Sequence, residues 1–144
     1  MNLNSLRISS ALNLSGQSGV YSNQKFNSGD IVLVLRGRIV TEATRTSIQV
    51  SDLDHIEDEI GHYINHHCAS TCKIDGKNVI AVRDINIDDE ITFNYSQSEN
   101  VIASPFICAC CNKLISGKLN SWGKLNVWFA NISRWYLQQR SFNW

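Results

Sequence analysis

Two stretches decide the fold of this chain: Asn65–Cys68, which reads Asn-His-His-Cys, and Glu90–Tyr95, which reads Glu-Ile-Thr-Phe-Asn-Tyr. A glycine-containing turn, Gly16–Tyr21, precedes them, and a cysteine cluster, Cys108–Cys111, follows them. Each signal is weak alone, because short turns, single histidines and strand-end tyrosines occur in many unrelated proteins. Four signals in this order and at compact spacing are hard to obtain by chance.

In this order the four stretches resemble the SET-domain methyltransferases, which move a methyl group from S-adenosylmethionine to a protein lysine. The resemblance covers roughly residues 10 to 118. It implies a mostly β fold, the β-clip of small sheets, with a threaded pseudo-knot that joins the two central motifs. Such a pseudo-knot is an exception to the general rule against threaded connections.

Short apolar, β-branched runs separated by turn residues support a mostly β domain without reference to any family. They predict strands at Ile31–Leu35, Ser47–Val50, Asn78–Val82 and Glu90–Tyr95, with a further extended stretch at Arg38–Thr41. Ile74–Lys77 is typical of a turn, because it carries Asp75 and Gly76 between two apolar runs.

The last part of the chain has a different periodicity, which predicts an amphipathic C-terminal helix. Its apolar side chains recur at helical spacing: Leu125, Trp128, Phe129, Ile132, Trp135 and Tyr136. Packing against the body of the domain is the usual role of such a stripe, and a lid or a dimer contact is the alternative. We therefore divide the chain into a SET domain (1–104), a post-SET-like cysteine segment (105–118) and a helical tail (119–144).

Composition suits a soluble globular protein, with 43% hydrophobic and 18% charged residues. No apolar run approaches the roughly 20 residues that span a bilayer, and the first residues lack signal-peptide character. With five clustered cysteines, this predicts a cytoplasmic or nuclear protein and no membrane partner. Residues 50 to 99 hold eleven acidic against three basic side chains, a block that favours a basic protein partner and disfavours nucleic acid.

The resemblance assigns cofactor-binding residues to the early turn and to the first central motif. In the turn these are Ser18, Gly19, Val20 and Tyr21, although Gln17 stands where the family has its first glycine and Gly16 lies one residue early. In the motif they are Asn65 and His66. Glycine suits such a turn, because a side chain would keep the backbone away from the cofactor.

The resemblance also assigns the catalytic role to Tyr95, the tyrosine that ends the second central motif. Its hydroxyl would lie beside the transferred methyl group and the lysine amine, and would orient the reaction electrostatically. One channel aromatic of the family is missing, because Leu35 stands in place of tyrosine in the sequence before Gly37. That change bears on the substrate accepted or on the number of methyl groups added.

The family's post-SET cysteines bind zinc together with the cysteine of the first motif, which implies Cys68, Cys108, Cys110 and Cys111 as zinc ligands. Four thiolates suffice for a closed tetrahedral site. Adjacent cysteines strain such a site, so Cys72 is a rival fourth ligand, and unliganded buried thiols are the alternative to zinc. A second metal set also fits the spacing in this part of the chain: His62, His66, His67, Cys68 and Cys72.

The resemblance thus implies a protein-lysine N-methyltransferase that uses S-adenosylmethionine, and the acidic block favours a basic segment of a protein as its substrate. The rival from another class is a catalytically inactive SET-like module, stabilised by zinc and kept for protein binding. The departures at Gln17, Leu35, His62 and Ser70–Thr71 favour that rival. A small zinc module that contacts nucleic acid is disfavoured by the acidic block.

Overall fold

The computed structural model of the chain describes residues 3–10 and 17–118. Twelve short strands dominate this part: β1 (Leu6–Ser9), β2 (Gly19–Ser22), β3 (Ile31–Val34), β4 (Arg38–Val40), β5 (Ile48–Gln49), β6 (His55–Glu57), β7 (Asn65–His66), β8 (Cys72–Asp75), β9 (Asn78–Ala81), β10 (Glu90–Phe93), β11 (Phe106–Ile107) and β12 (Leu114–Ile115). The helical elements described are 3-10 turns at Leu3–Ser5 and Gly61–Tyr63 and one α-helical turn, α1, at Tyr95–Ser98.

The main sheet has the order β1-β2-β10-β8-β9-β3, and β7 also pairs with β10. Most of its ladders are antiparallel, but β7 and β8 both run parallel to β10. The tight turn between β8 and β9 uses Gly76, whose φ of 56° is the left-handed conformation that glycine adopts without strain. β10 therefore lies inside the sheet, with partners contributed by three other parts of the chain.

A smaller sheet, β4-β6-β5, covers the region that follows β3. It begins next to Gly37, where a Cβ atom would collide with the carbonyl oxygen of Glu57, so that only glycine fits without movement of the backbone. β11 and β12 form a separate two-stranded hairpin near the end of the described residues.

One hydrophobic core joins the two larger sheets. Its fully buried side chains come from the main sheet (Val20, Val32, Val79, Ile91 and Phe93), from the small sheet (Ile56) and from the connections (Leu35, Ile64 and Ile85). Each such side chain stabilises the fold by about 1.5–3 kcal/mol relative to an exposed position. The core thus fixes the small sheet against the main one.

The predicted mostly β fold is confirmed, and every predicted strand is present with slightly narrower limits. One boundary is wrong: the strand predicted to reach Tyr95 ends at Phe93, because Asn94 caps a helical turn by accepting a hydrogen bond from the Ser96 amide. Strands β1, β6, β7, β8, β11 and β12 were not predicted. The C-terminal helix prediction lies outside the described residues. Within residues 3–10 and 17–118 no helix has the length and apolar character needed to cross a membrane.

Candidate functional site

The two central motifs lie side by side in the main sheet. In the parallel ladder of β7 and β10, Asn65 is opposite Thr92 and His66 is opposite Phe93. The amide of His67 extends this contact by donating to the carbonyl oxygen of Phe93 at 3.3 Å. The pairing is the contact that the predicted pseudo-knot requires, and it places two distant stretches of sequence at one edge of a cleft.

Asn65 connects the early turn to both motifs. Its Nδ2 donates to the carbonyl oxygen of Ser18 at 3.0 Å and to Oε1 of Glu90 at 2.9 Å. An amide NH₂ has two hydrogens to donate, and both are used here. Asn65 therefore fixes the turn before β2 against the start of β10.

The cleft beside these motifs has a volume of about 1080 Å³, at the upper end of the range for small-molecule sites. Ser18, Asn65, His66 and Tyr95 line it, whereas Gly19, Val20 and Tyr21 do not. Strand β2 turns the Val20 side chain into the core, where it is fully buried. These three residues can therefore contact a cofactor in the cleft only if the backbone moves, or through their backbone atoms at the start of β2.

Tyr95 lies at the first position of α1 and lines the cleft. Its hydroxyl donates to the carbonyl oxygen of Ile64 at 2.6 Å. Burial, and after it the negative charges of Glu99 and Glu90, raise the pKa of Tyr95 well above its ordinary value. The hydroxyl consequently stays protonated at neutral pH and acts as a hydrogen-bond donor.

His66 links Tyr95 to the cysteine cluster. Its Nδ1 accepts a hydrogen bond from the backbone amide of Tyr95 at 3.1 Å, which requires Nδ1 to be unprotonated. Burial and the neighbouring His67 lower the pKa of His66, and this favours the neutral ring. The other nitrogen, Nε2, lies 3.5 Å from Sγ of Cys68. The ring also meets those of Tyr95 and Phe106 edge-on, at 5.3 and 5.7 Å between centroids.

Four sulfur atoms converge at one end of the cleft. Sγ of Cys68 lies 3.6 Å from that of Cys108 and 3.3 Å from that of Cys111, and the sulfurs of Cys108 and Cys110 are 3.0 Å apart. All four sulfurs lie within 4.8 Å of one another. Zn–S bonds of about 2.3 Å in a tetrahedron put the sulfurs about 3.8 Å apart, so this cluster can hold a metal ion with small adjustments.

Crowding shifts the pKa values of two of these thiols in opposite directions. Hydrogen bonds with Cys110 and Cys111 raise the pKa of Cys68 above its ordinary value. Burial raises the pKa of Cys108, but hydrogen bonds that it accepts from Cys110 and Cys111 outweigh burial and lower it to about 6. A thiolate surrounded by three further sulfurs is the ligand type that binds zinc.

The structure separates this cluster from the alternative ligand sets. Cys72 is buried in β8, opposite Phe93, and is not among the converging sulfurs. Across residues 3–10 and 17–118, the four-cysteine cluster is the single group of three or more metal-binding side chains that converge. Nδ1 of His67 accepts a hydrogen bond from the amide of Ala69 instead. The histidine-containing set is therefore not brought together.

Sequence reasoning missed three residues of the cleft. Phe106 faces Tyr95, with 6.1 Å between ring centroids, and Glu90 holds Asn65. Glu99 lines the cleft although 5% of it is exposed. Phe106 precedes the cysteine cluster and Glu90 opens the second motif, so their positions next to these motifs could have identified them as residues of the site. Glu99 has no motif around it.

Two solved structures have a similar fold at low sequence identity. One, at 11% identity and a TM-score of 0.55, is described as ctPRC2 in an autoinhibited conformation bound to S-adenosylmethionine; the match covers 79% of this chain and 20% of that one. The other is a humanized mutant of the Chaetomium thermophilum Polycomb Repressive Complex 2 bound to an inhibitor, at 11% identity and a TM-score of 0.52, covering 78% and 18%. This chain spans about a fifth of those chains, and the likeness shows the fold alone.

Sequence comparison identifies the family. No curated protein matches the chain. A protein-family model described as the SET domain matches residues 17–96, which is more than half of the chain. That range contains the early turn from Gln17 onwards, both central motifs and Tyr95, which supply part of the lining of the cleft. The chain therefore belongs to the SET-domain family.

Proposed function

We propose that this protein transfers a methyl group from S-adenosylmethionine to a lysine side chain of a protein substrate. The observation that carries the proposal is the convergence of Asn65, His66 and Tyr95 in one cleft of about 1080 Å³. Membership of the SET-domain family supports it, and a solved structure of similar fold is bound to S-adenosylmethionine. The cleft is large enough for the cofactor and an entering side chain.

The cofactor would lie against the early turn and the first central motif. The residues proposed to bind it are Ser18, Gly19, Val20, Tyr21, Asn65 and His66. The hydrogen bond from Asn65 to the Ser18 carbonyl oxygen supports this set, because it orders the turn before the cofactor arrives. A site ordered in advance loses less conformational entropy on binding.

Tyr95 is the proposed catalytic residue. The attacking lysine amine must be neutral, whereas free lysine has a pKa of about 10.4, and an enclosed apolar channel lowers that value. The Tyr95 hydroxyl and the Ile64 carbonyl oxygen lie 2.6 Å apart, so the pair presents a donor and an acceptor at one point of the cleft. Such fixed dipoles can align the amine with the methyl group and the sulfur for in-line displacement.

We propose Cys68, Cys108, Cys110 and Cys111 as the ligands of a structural zinc ion. The converging sulfurs support this assignment. Bound zinc would cross-link the turn after β7 to the hairpin β11–β12, and a four-thiolate site leaves no open position for chemistry. The hairpin carries Phe106, so the metal would hold that ring against His66 and Tyr95.

The proposed substrate is a basic, flexible segment of a protein rather than nucleic acid. Glu90 and Glu99 line the cleft, and the block of residues 50 to 99 carries a large excess of acidic side chains. Negative potential attracts a lysine-rich segment and repels phosphates.

Calorimetric titration of the zinc-loaded protein with S-adenosylmethionine tests the proposal first. We expect binding at one site, followed by methyl transfer to lysine-containing basic peptides but not to matched peptides with arginine in place of lysine. The absence of binding at millimolar cofactor would refute the methyltransferase proposal.

The alternative is a SET-like protein-binding module without turnover, and one observation favours it. Leu35, at the position of the family's channel tyrosine, is buried in the core and does not line the cleft. Gln17 at the turn adds to this alternative. A module of this kind would bind basic peptides with the same affinity whether or not cofactor is present, whereas the enzyme would bind them more tightly with the product form of the cofactor.

A further inference from the structure

Glu99 contacts three segments that surround the cleft. Its amide donates to the carbonyl oxygen of Tyr95 at 2.8 Å, and its own carbonyl oxygen accepts from the amide of Lys118 at 2.8 Å. Its side-chain Oε1 accepts from the amide of Gln49 in β5 at 3.0 Å. One buried residue therefore joins the Tyr95 turn, the small sheet and the segment that follows β12.

The side chain of Gln49 makes two further hydrogen bonds. Its Oε1 accepts from the amide of Asn100 at 2.6 Å, and its Nε2 donates to the carbonyl oxygen of Ser51 at 2.8 Å. The residue is buried, so these side-chain hydrogen bonds are shielded from water. Gln49 is therefore bonded to Glu99 through its amide and to the amide of Asn100 through its side chain, an arrangement that we call the Gln49–Glu99 clasp.

His55 of β6 lies behind the clasp. Its Nδ1 is buried and has no hydrogen-bond partner among the described residues, and it lies 3.8 Å from Oε2 of Glu99. The side chains are 8% and 7% exposed. A buried polar atom without a partner is costly, and a small approach of the two groups would provide that partner.

We propose that Glu99 is a positioning residue for methyl transfer, whose side chain holds the small sheet against the Tyr95 turn through Gln49 and His55. This inference rests on the proposed function, because it gives a role in turnover to a residue outside the two motifs. The residues Thr44–Ile48, immediately before Gln49, line the cleft, so movement of β5 would change the wall that faces the substrate.

The charge states around Glu99 add a pH dependence. Burial raises the pKa of Glu99 to about 7, although the hydrogen bond from the Gln49 amide and the charge of Lys118 both lower it. Burial lowers the pKa of His55, although the charge of Asp54 raises it. Tyr95 on α1 faces the same carboxyl group. The stability that comes from protonated Glu99 is fully present below its ordinary pKa and is lost as pH rises towards 7.

Amide hydrogen exchange tests the clasp without any need for activity. In Glu99→Ala we expect the exchange rate of the Gln49 amide, which loses its acceptor, to rise roughly tenfold or more, the factor that one lost buried hydrogen bond gives. Glu99→Gln keeps an acceptor oxygen and should stay within about threefold of the parent protein. Glu59→Gln, an exposed glutamate outside the cleft, is the matched control. Unchanged exchange in Glu99→Ala would overturn the proposal.

Gln49→Ala keeps the test informative if Glu99→Ala does not fold. It retains the amide that donates to Glu99 but removes the acceptor for Asn100. We expect faster exchange at Asn100 with the Gln49-position amide still protected. If both amides keep their protection in this variant, the clasp does not hold these segments together.

Turnover then separates a positioning role from a purely structural one. We expect kcat to fall about tenfold in Glu99→Ala with the affinity for S-adenosylmethionine unchanged, and largely to recover in Glu99→Gln. In the parent protein the pH profile of kcat should show an inflection near pH 7 that is absent from Glu99→Gln. An inflection of the same size in both proteins would exclude Glu99 as its source. If the parent protein transfers no methyl group, the proposed function fails, while the exchange experiment still decides the fate of the clasp.

Discussion

Two walls of the cleft are held in place in different ways. The strand wall, made of β7 and β10, belongs to the main sheet, in which Ile91 and Phe93 are buried. The cysteine wall, made of the hairpin β11–β12 and the four converging thiols, leaves Ile107 59% and Leu114 62% exposed. The first wall gains its stability from burial, whereas the second leaves most of its large apolar side chains exposed.

This difference gives a physical reason to expect a metal cross-link at the four-cysteine cluster. A two-stranded hairpin is marginally stable by itself. Small units of this kind are commonly fixed by a metal or a cross-link, because their cores cannot offset the entropy of ordering the chain. The comparison predicts that the two walls respond differently to metal removal and to core substitutions.

The largest effect should follow the substitution Cys108→Ser. Loss of one thiolate from a four-sulfur site should lower zinc affinity by orders of magnitude, because structural zinc in small sites contributes on the order of 10 kcal/mol. We expect bound zinc to fall from one equivalent to near zero, and amide protection to be lost in β11–β12 but kept in β10. Elemental analysis and hydrogen exchange measure the two effects.

Cys72→Ala is the matched control, because Cys72 lies in β8 and not in the sulfur cluster. It should cost some core packing and keep the full zinc content. Full zinc content in Cys108→Ser would refute the assignment of that residue as a ligand.

The next largest effect should follow Tyr95→Phe. The substitution keeps the ring that contacts His66 and Phe93 and removes the hydroxyl that donates to Ile64. We expect kcat to fall by about 10²–10³, the usual cost of one donor at a reacting centre, with cofactor affinity and the thermal midpoint nearly unchanged. Steady-state kinetics and titration calorimetry make the comparison. A kcat equal to that of the parent protein would remove Tyr95 from the mechanism.

A smaller effect is expected for Asn65→Ala, which acts on the strand wall. It removes the donors to Ser18 and Glu90 and frees the early turn from β10. We expect the dissociation constant for S-adenosylmethionine to rise about tenfold or more, because lost hydrogen bonds to a charged group cost roughly 1.5–3 kcal/mol. Calorimetric titration measures it, and cofactor affinity within twofold of the parent value would contradict the role of Asn65.

The smallest effect should follow Ile107→Ala in the cysteine wall. Ile107 is largely exposed, so its truncation should change the free energy of unfolding by less than about 0.5 kcal/mol. The same truncation at Ile91 in the strand wall, where the side chain is 0% exposed, should cost about 2–5 kcal/mol. Denaturant unfolding of the pair gives the comparison directly, and equal costs would show that both walls rest on buried packing.

Local sequence was sufficient to predict a strand where the local pattern and the tertiary environment favour the same structure. The apolar run at Ile31–Val34 and the motif around Phe93 were predicted as strands, because β-branched and aromatic residues in short runs favour that state. β6 was missed because His55 and Glu57 flank its single apolar residue. Only its pairing with β4 and β5 buries it. β8 was missed because part of it was assigned to the turn at Gly76.

Glu99 shows what local sequence does not contain. It carries no spacing signal, and a glutamate in a polar stretch predicts an exposed side chain. It becomes buried because β5, β6 and the backbone of Lys118 meet at its position.

The sequence by itself determined the family, the mostly β fold and the side chains proposed for the chemistry: Asn65, His66, Tyr95 and the cysteines. These follow from residue type and order along the chain, which are local properties. The tertiary structure alone decided which of them share the cleft, that Val20 faces the core, that Cys72 lies apart from the other sulfurs, and that Glu99 is buried. Distances between remote segments and removal of water from a charged group arise only when the sheets pack, because no local pattern encodes them.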